Sequence, residues 1–435
     1  MVKNDLFVTG GWDRRRFIKS FFAGGVAFSL SSLDAFTAQS VLKLDQKHIK
    51  EESPDGIFWN RWRDEFAFED GLILMNNGTI GVVPKPVFRC LVEYFRVQAT
   101  NPFCPFMLGS KLGEVRERVA KFINASPDEV ALTRNTTEGM NFVINGLPLN
   151  KGDEVIITDL EHPAGIGPWR VKEMRAGVVV KKAEIGADPK KKEDILKAIE
   201  REITPKTKMI SLSHTVYITG LITPMAEISK LAHDKDILVL ADGAHAMGMI
   251  DLDMRKLGVD FYTTSPYKWL GAPVGNGVLY IKRDIQDRVF PTIASGDWEK
   301  IKGAGKFETL GQRATPVKVA LGDAIDFQEK IGKKRIERRI KSLATYLKLE
   351  LLKIKGVKLY TSLDPELSAG LTTFSLNGMD NRKIVDYLKE KYYLVIRTIG
   401  ENLNLNTVRV STHFYHTYEE IDLLLKGVRE LASIK

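Results

Sequence analysis

The chain has 435 residues, 44% of them hydrophobic and 27% charged, and carries a formal net charge of +9. That length exceeds one minimal core and allows two domains, and the composition excludes a disordered or fibrous protein. Two cysteines and seven histidines without ligand spacing exclude a disulfide scaffold and predict no metal site.

Near the N-terminus, Asp13-Arg14-Arg15-Arg16-Phe17-Ile18-Lys19 resembles a twin-arginine export signal. The apolar stretch Phe21 to Leu33 is interrupted by Gly24 and Gly25 and is too short for a comfortable membrane span, so no stable membrane insertion is expected. Residues 1–40 are therefore read as signal and linker, with transient use of the twin-arginine machinery and a periplasmic destination. A basic tail with an amphipathic helix is the alternative, and the protein is cytoplasmic if the signal is not used.

Beyond a polar segment, Leu72-Ile73-Leu74-Met75 reads as a short strand entering the turn Asn76-Asn77-Gly78-Thr79. From about 110 to 290, strand-like and helix-like segments alternate. The strand-like runs are Val155–Thr158, Val178–Lys182, Lys208–Ser213, Ile237–Ala241, Phe261–Thr264 and Gly277–Ile281. Helical patterns such as Lys190–Ile203 and Met225–His233 lie between them. This predicts an α/β fold with a mostly parallel sheet covered on both faces. Beyond Pro316 a long helix is expected from Val317 to Lys355. Strands Gly370–Ser375, Leu394–Arg397 and Thr407–Ser411 and a helix Tyr418–Ala432 follow. The division expected is 41–315 for a large domain and 316–435 for a smaller α+β domain. The basic run from Lys333 to Lys341 is read as the solvated face of that long helix, and no nucleic-acid partner is expected.

Open parallel sheets bind ligands beyond the carboxyl ends of their strands. Asp242 follows one such run, and a buried carboxylate there calls for a cation or strong donors. A protonated pyridinium nitrogen would serve; capping of the next helix is the alternative. Lys268 stands between Tyr267 and Trp269 after another strand, either snorkelling or as an amine activated in a dry pocket, with the Ser265 and Tyr267 hydroxyls available to a phosphate. Thr136 and Thr137 open a helix-like stretch whose start suits an anion as well as a cap. His162, after Val155–Thr158, is placed to stack on a planar ring or to be a satisfied polar residue.

The ordered set Ala241-Asp242-Gly243-Ala244-His245-Ala246 and Tyr267-Lys268-Trp269-Leu270-Gly271-Ala272-Pro273 resembles the class V aminotransferases. These are fold-type I enzymes dependent on pyridoxal 5′-phosphate (PLP), and the closest likeness is to isopenicillin N epimerase-like proteins, over about residues 70–425. The resemblance implies Lys268 as Schiff-base lysine and Cα proton shuttle, Asp242 on the pyridine nitrogen, His162 on the ring face and His245 near the ring hydroxyl. It implies phosphate contacts from Thr136, Thr137 and Ser265, with the hydroxyl of Tyr267 available to them. Arg409 would clamp the substrate α-carboxylate and Arg397 line the site, with Asn77 and Gly78 approaching substrate. Gln312 lies in a loop that in the family reaches the neighbouring subunit's phosphate, which implies a homodimer. Tyr217 stands where an Asn near the ring hydroxyl is frequent.

The resemblance also implies that the chain is not a persulfide-forming cysteine desulfurase, because Arg397 to Arg409 contains no cysteine. The expected activity is that of an aminotransferase or epimerase acting at the α-carbon of an amino acid or derivative, with Tyr217 the candidate acid on the second face. A C–S or C–Se lyase without a cysteine nucleophile is the alternative, and a non-catalytic binding protein the second.

Overall fold

The computed structural model describes residues 56–101, 103–188 and 191–434. The expected export signal and the polar segment after it lie outside them.

The described chain opens with α1 (Ile57–Arg63), β1 (Ile73–Leu74), α2 (Lys85–Thr100) and α3 (Cys104–Phe122). Then come β2 (Val130–Thr133), α4 (Thr136–Gly146), β3 (Glu154–Thr158), α5 (Pro163–Ala176), β4 (Val179–Ala183), α6 (Lys192–Glu202) and β5 (Thr207–Ser213). The next segment holds α7 (Met225–His233), β6 (Leu238–Asp242), α8 (Met254–Leu257), β7 (Phe261–Thr264) and β8 (Gly277–Ile281). These strands form one sheet in the order β2-β8-β7-β6-β5-β3-β4. Pairing is parallel from β4 to β7, while β8 runs antiparallel to both β7 and β2. The central strands are near-continuous apolar runs because helices cover both of their faces. One core joins Phe142, Trp169 and Phe307 to Ile157, Leu240 and Leu279.

The second half begins with α9 (Thr315–Ile331) and α10 (Lys333–Leu352), followed by β9 (Val357–Leu359) and β10 (Leu371–Leu376). It closes with α11 (Asn381–Tyr392), β11 (Leu394–Val395), β12 (Arg397–Ile399), β13 (Thr407–Ser411) and α12 (Tyr418–Ser433). Strands β12-β13-β10-β9 form an antiparallel sheet, and β11 pairs instead with β1. A separate core gathers Leu343, Leu347, Phe374, Leu424 and Val428.

Three expectations are corrected. The single helix from Val317 to Lys355 is two helices: Gly332, at φ +98°, turns the chain between α9 and α10. Strand Leu394–Arg397 is divided at buried Ile396, so its halves serve different sheets. The basic run is not wholly solvated, since Arg339 is 7% exposed and donates to the His416 carbonyl. Helices α2 and α3 and strand β2 were not read from the sequence.

Candidate active site

Four neighbouring parallel strands, β3, β5, β6 and β7, end on the same edge of the large sheet, and each releases a loop carrying polar residues. The result is a cavity of about 90 Å³. Asp242 and Lys268 both line it, as do Thr136, Thr137, His162, Tyr217, His245, Ser265 and Tyr267. Met140, Ala164, Ser213, Thr215 and Ala244 complete the lining and were not singled out in the sequence.

Asp242 is 6% exposed. One carboxylate oxygen accepts the Ala244 N–H at 3.0 Å, and among the described residues no basic side chain is paired with it. Burial raises its pKa, opposed by the Ala244 bond and the Lys268 charge. A carboxylate so placed stays charged only beside a cation or strong donors.

Lys268 opens to the cavity, where desolvation first, then the charge of Arg409, brings its amine down to about 8. Its Nζ lies 3.4 Å from His245 Nε2, while Trp269 Nε1 lies 3.4 Å from His245 Nδ1. Indole N–H only donates, so Nδ1 is the acceptor and the proton of the neutral imidazole sits on Nε2. That proton can bond Lys268 only if the amine is neutral. Desolvation and the surrounding cations hold His245 well below its ordinary pKa, which agrees.

Asn135 caps α4 by accepting the Glu138 N–H, and Thr136 bonds Ser265 through both its N–H and its hydroxyl, the latter at 2.8 Å. A helix start with two hydroxyls is an anion cradle. His162 caps α5, its Nδ1 accepting the Ala164 N–H, and stands edge-on to Tyr217 at 4.7 Å. Its ring faces the cavity with its pKa brought down to about 4, by desolvation first and then by Lys268 and the arginines. Beneath it, Glu161 accepts Thr158 Oγ1 and Ser213 Oγ, each at 2.6 Å, and burial pushes its carboxyl up to about 7. Nothing but its position beside a strand end marked this residue in the sequence.

Arg409 is 1% exposed and donates to the Tyr217 carbonyl, leaving Nε and Nη2 buried without partners. Gly78 packs so closely on this guanidinium that a Cβ would collide with it. Arg397 is exposed and bonds Thr79. Asn77, expected to approach a substrate, donates to the Lys268 carbonyl and accepts the Tyr415 hydroxyl. Gln312 is exposed and does not line this cavity.

Residues 78–424 match the family model for class-V aminotransferases. The chain belongs to that family. Over 384 residues, spanning 81% of this chain and 92% of the relative, it is 32% identical to a probable cysteine desulfurase of Methanothermobacter thermautotrophicus. It is 28% identical to the isopenicillin N epimerase of Amycolatopsis lactamdurans, over 86% of this chain and 99% of the relative. Among solved structures it is similar to the cystine C–S lyase C-DES in complex with its product cysteine persulfide (TM-score 0.75, 26% identity, 82% of this chain and 97% of that one). A mutant of C-DES with glycine covalently linked to its PLP cofactor also matches (TM-score 0.77, 25% identity, 87% of this chain and 100% of that one).

The protein is thus a class-V, PLP-dependent enzyme of the fold-type I architecture. Its residues fit that group. Asp242 lacks the cation a pyridinium N–H would supply, the buried Thr215 hydroxyl has no partner, and Thr136, Thr137 and Ser265 bring hydroxyls to the cavity at the α4 start, where a phosphate would be held. Lys268 supplies an amine brought down to about 8, within reach of the neutral form.

Proposed function

We propose that this enzyme acts on an amino acid or derivative by moving the proton on its α-carbon, as an aminotransferase or epimerase. Bound PLP supplies an electron sink that makes the bonds to Cα labile. The remaining work falls to the chain. Asp242 holds the ring nitrogen protonated, and the Thr136–Ser265 pair at the α4 start orients the phosphate. Lys268 Nζ, neutral above about pH 8, takes the Cα proton. Arg409 fixes the α-carboxylate through its two free donors. In the epimerase form Tyr217, which lines the cavity, is the candidate acid on the second face. The single observation carrying this reading is that Lys268 and Asp242 line one cavity with the unpaired Arg409 guanidinium beside Tyr217 at its edge.

Cleavage of a C–S bond is the second reading, favoured by the likeness to a cystine C–S lyase and to relatives named as desulfurases. This reading assigns no nucleophilic role to Cys90 or to the segment between Arg397 and Arg409. No cysteine lies between Arg397 and Arg409, and Cys90 is buried, its thiol pushed up to about 12 by desolvation and Asp323.

Borohydride treatment of the yellow holoenzyme should fix a pyridoxyl group on Lys268, located by peptide mass. A panel of L- and D-amino acids, followed by Cα deuterium exchange, keto-acid release and sulfide release, separates the reactions. Sulfide released together with pyruvate and ammonia, with no amino transfer to a keto acid, would move the assignment to the lyase; a colourless protein that takes up no PLP would end both. We also propose export to the periplasm as a homodimer. Arg14→Lys with Arg15→Lys should hold the protein in the cytoplasm, and unchanged export would defeat that assignment.

A further inference from the structure

The His162 ring faces the open cavity and is lightly held. Its Nδ1 accepts the Ala164 N–H at 3.1 Å, and Tyr217 meets it edge-on. Where the imidazole stands therefore depends on the backbone of the loop from β3 to α5, residues 159–162.

The rest of that loop is pinned. Asp159 accepts the Ile185 and Gly186 N–H groups at 2.9 and 3.0 Å. Leu160 is buried and donates its N–H to Thr158 Oγ1. Glu161 is 4% exposed and accepts Thr158 Oγ1 on one oxygen and Ser213 Oγ on the other, each at 2.6 Å. Its carboxyl group thus ties the last residue of β3 to the last residue of β5, directly before His162. Pro163 then fixes φ as α5 begins.

The tie is costly. Among the described residues no basic side chain pairs with Glu161, and Asp242 stands beside Ser213 in the β5–β6 register. Burial pushes the Glu161 carboxyl up to about 7, against the two hydroxyl bonds, and Asp242 adds to the rise. The clamp survives that titration, because the ionised group accepts both hydroxyls while the acid donates to one and accepts the other. An apolar side chain would join the two strands without desolvating a carboxylate. What the carboxyl adds is direction: two opposed bonds that fix the residue preceding His162.

We propose that Glu161 is a positioning residue for the cofactor, holding the His162 ring at the place where the cofactor ring meets it. This role rests on the PLP reading above, with His162 on the ring face.

PLP titration and the visible circular dichroism of the loaded protein test it, in a cycle of Glu161→Ala, His162→Ala and the two combined. Each single substitution should weaken PLP binding by about tenfold, the scale of one aromatic contact, and reduce the dichroism of the cofactor band. In the combined variant the second substitution should add less than about threefold, because Glu161 acts through His162. Glu161→Gln, whose amide can accept Thr158 Oγ1 and donate to Ser213 Oγ, should bind PLP within about threefold of the unsubstituted protein. If Glu161→Ala fails to fold, Thr158→Val, which removes one of the two hydroxyls, takes its place in the cycle. Losses that multiply in full in the combined variant would show Glu161 acting apart from His162 and overturn the proposal, with the PLP reading left standing. Unchanged binding and dichroism in Glu161→Ala would do the same. A His162→Ala protein indistinguishable from the unsubstituted one would defeat the ring-face role and this one with it, and no PLP uptake by the unsubstituted protein would end the PLP reading itself.

Discussion

Lys268 is governed by its two neighbours in the hydrogen-bond chain, Trp269 and His245. The indole fixes the imidazole tautomer, and the Nε2–H of that tautomer donates only to an uncharged amine. The folded pKa of about 8 lies below the ordinary lysine value of about 10.4, so between these the unfolded chain holds the extra proton. The lysine's contribution therefore makes the stability of the cofactor-free protein rise with pH across that window and disfavours the fold below it. Covalent capture of PLP, which needs the neutral amine, should climb with pH and level off just above 8, followed by absorbance. A rate still climbing steeply beyond pH 9.5 would show an unperturbed lysine. Asp242 and Lys268 were legible because each ends an apolar run with a group that burial penalises. Glu161 was not, because its two hydroxyl donors come from different strands, β3 and β5.

Among elements, α4 shows how a secondary-structure device doubles as binding chemistry. Its first turn is fixed by the Asn135 cap and by the Thr136–Ser265 pair, which ties it to the loop after β7. Asn135→Ala should lower unfolding stability by about 1 kcal/mol, the usual weight of an N-cap. Because the same turn sets Thr136 and Thr137 on the cavity wall where a phosphate would be held, PLP affinity should fall as well. Urea unfolding and PLP titration read the two effects; lost stability with unchanged PLP affinity would separate the cap from the cradle. Strands such as β7, β8 and β13 were legible to the residue from their apolar runs between turn residues. The α9–α10 break was not, because Gly332 interrupts a pattern whose apolar spacing continues on both sides.

At the scale of the whole molecule, exposed Phe88, Val92 and Phe95 recur at helical spacing on α2, at 42%, 45% and 44% exposure. Extended apolar surface patches mark partner sites. We propose a second copy of this chain as its occupant, in keeping with Gln312, which stands outside its own cavity. Sedimentation equilibrium should give twice the 48.9 kDa chain mass, and Val92→Glu should give that mass singly. A single-chain mass for the unsubstituted protein would dismiss the dimer.

The order of apolar runs and turns was enough to specify an α/β chain with ligand chemistry at its strand ends, because periodicity and burial cost are local properties of the sequence. Which strand ends meet was decided only by the fold. Pairing β5 with β6 and β6 with β7 sets Ser213, Asp242 and Thr263 side by side, and the turn at Ile396 puts Arg397 opposite Arg409. Such neighbours are distant in the chain, and register, which no local pattern carries, determines whether their charges meet.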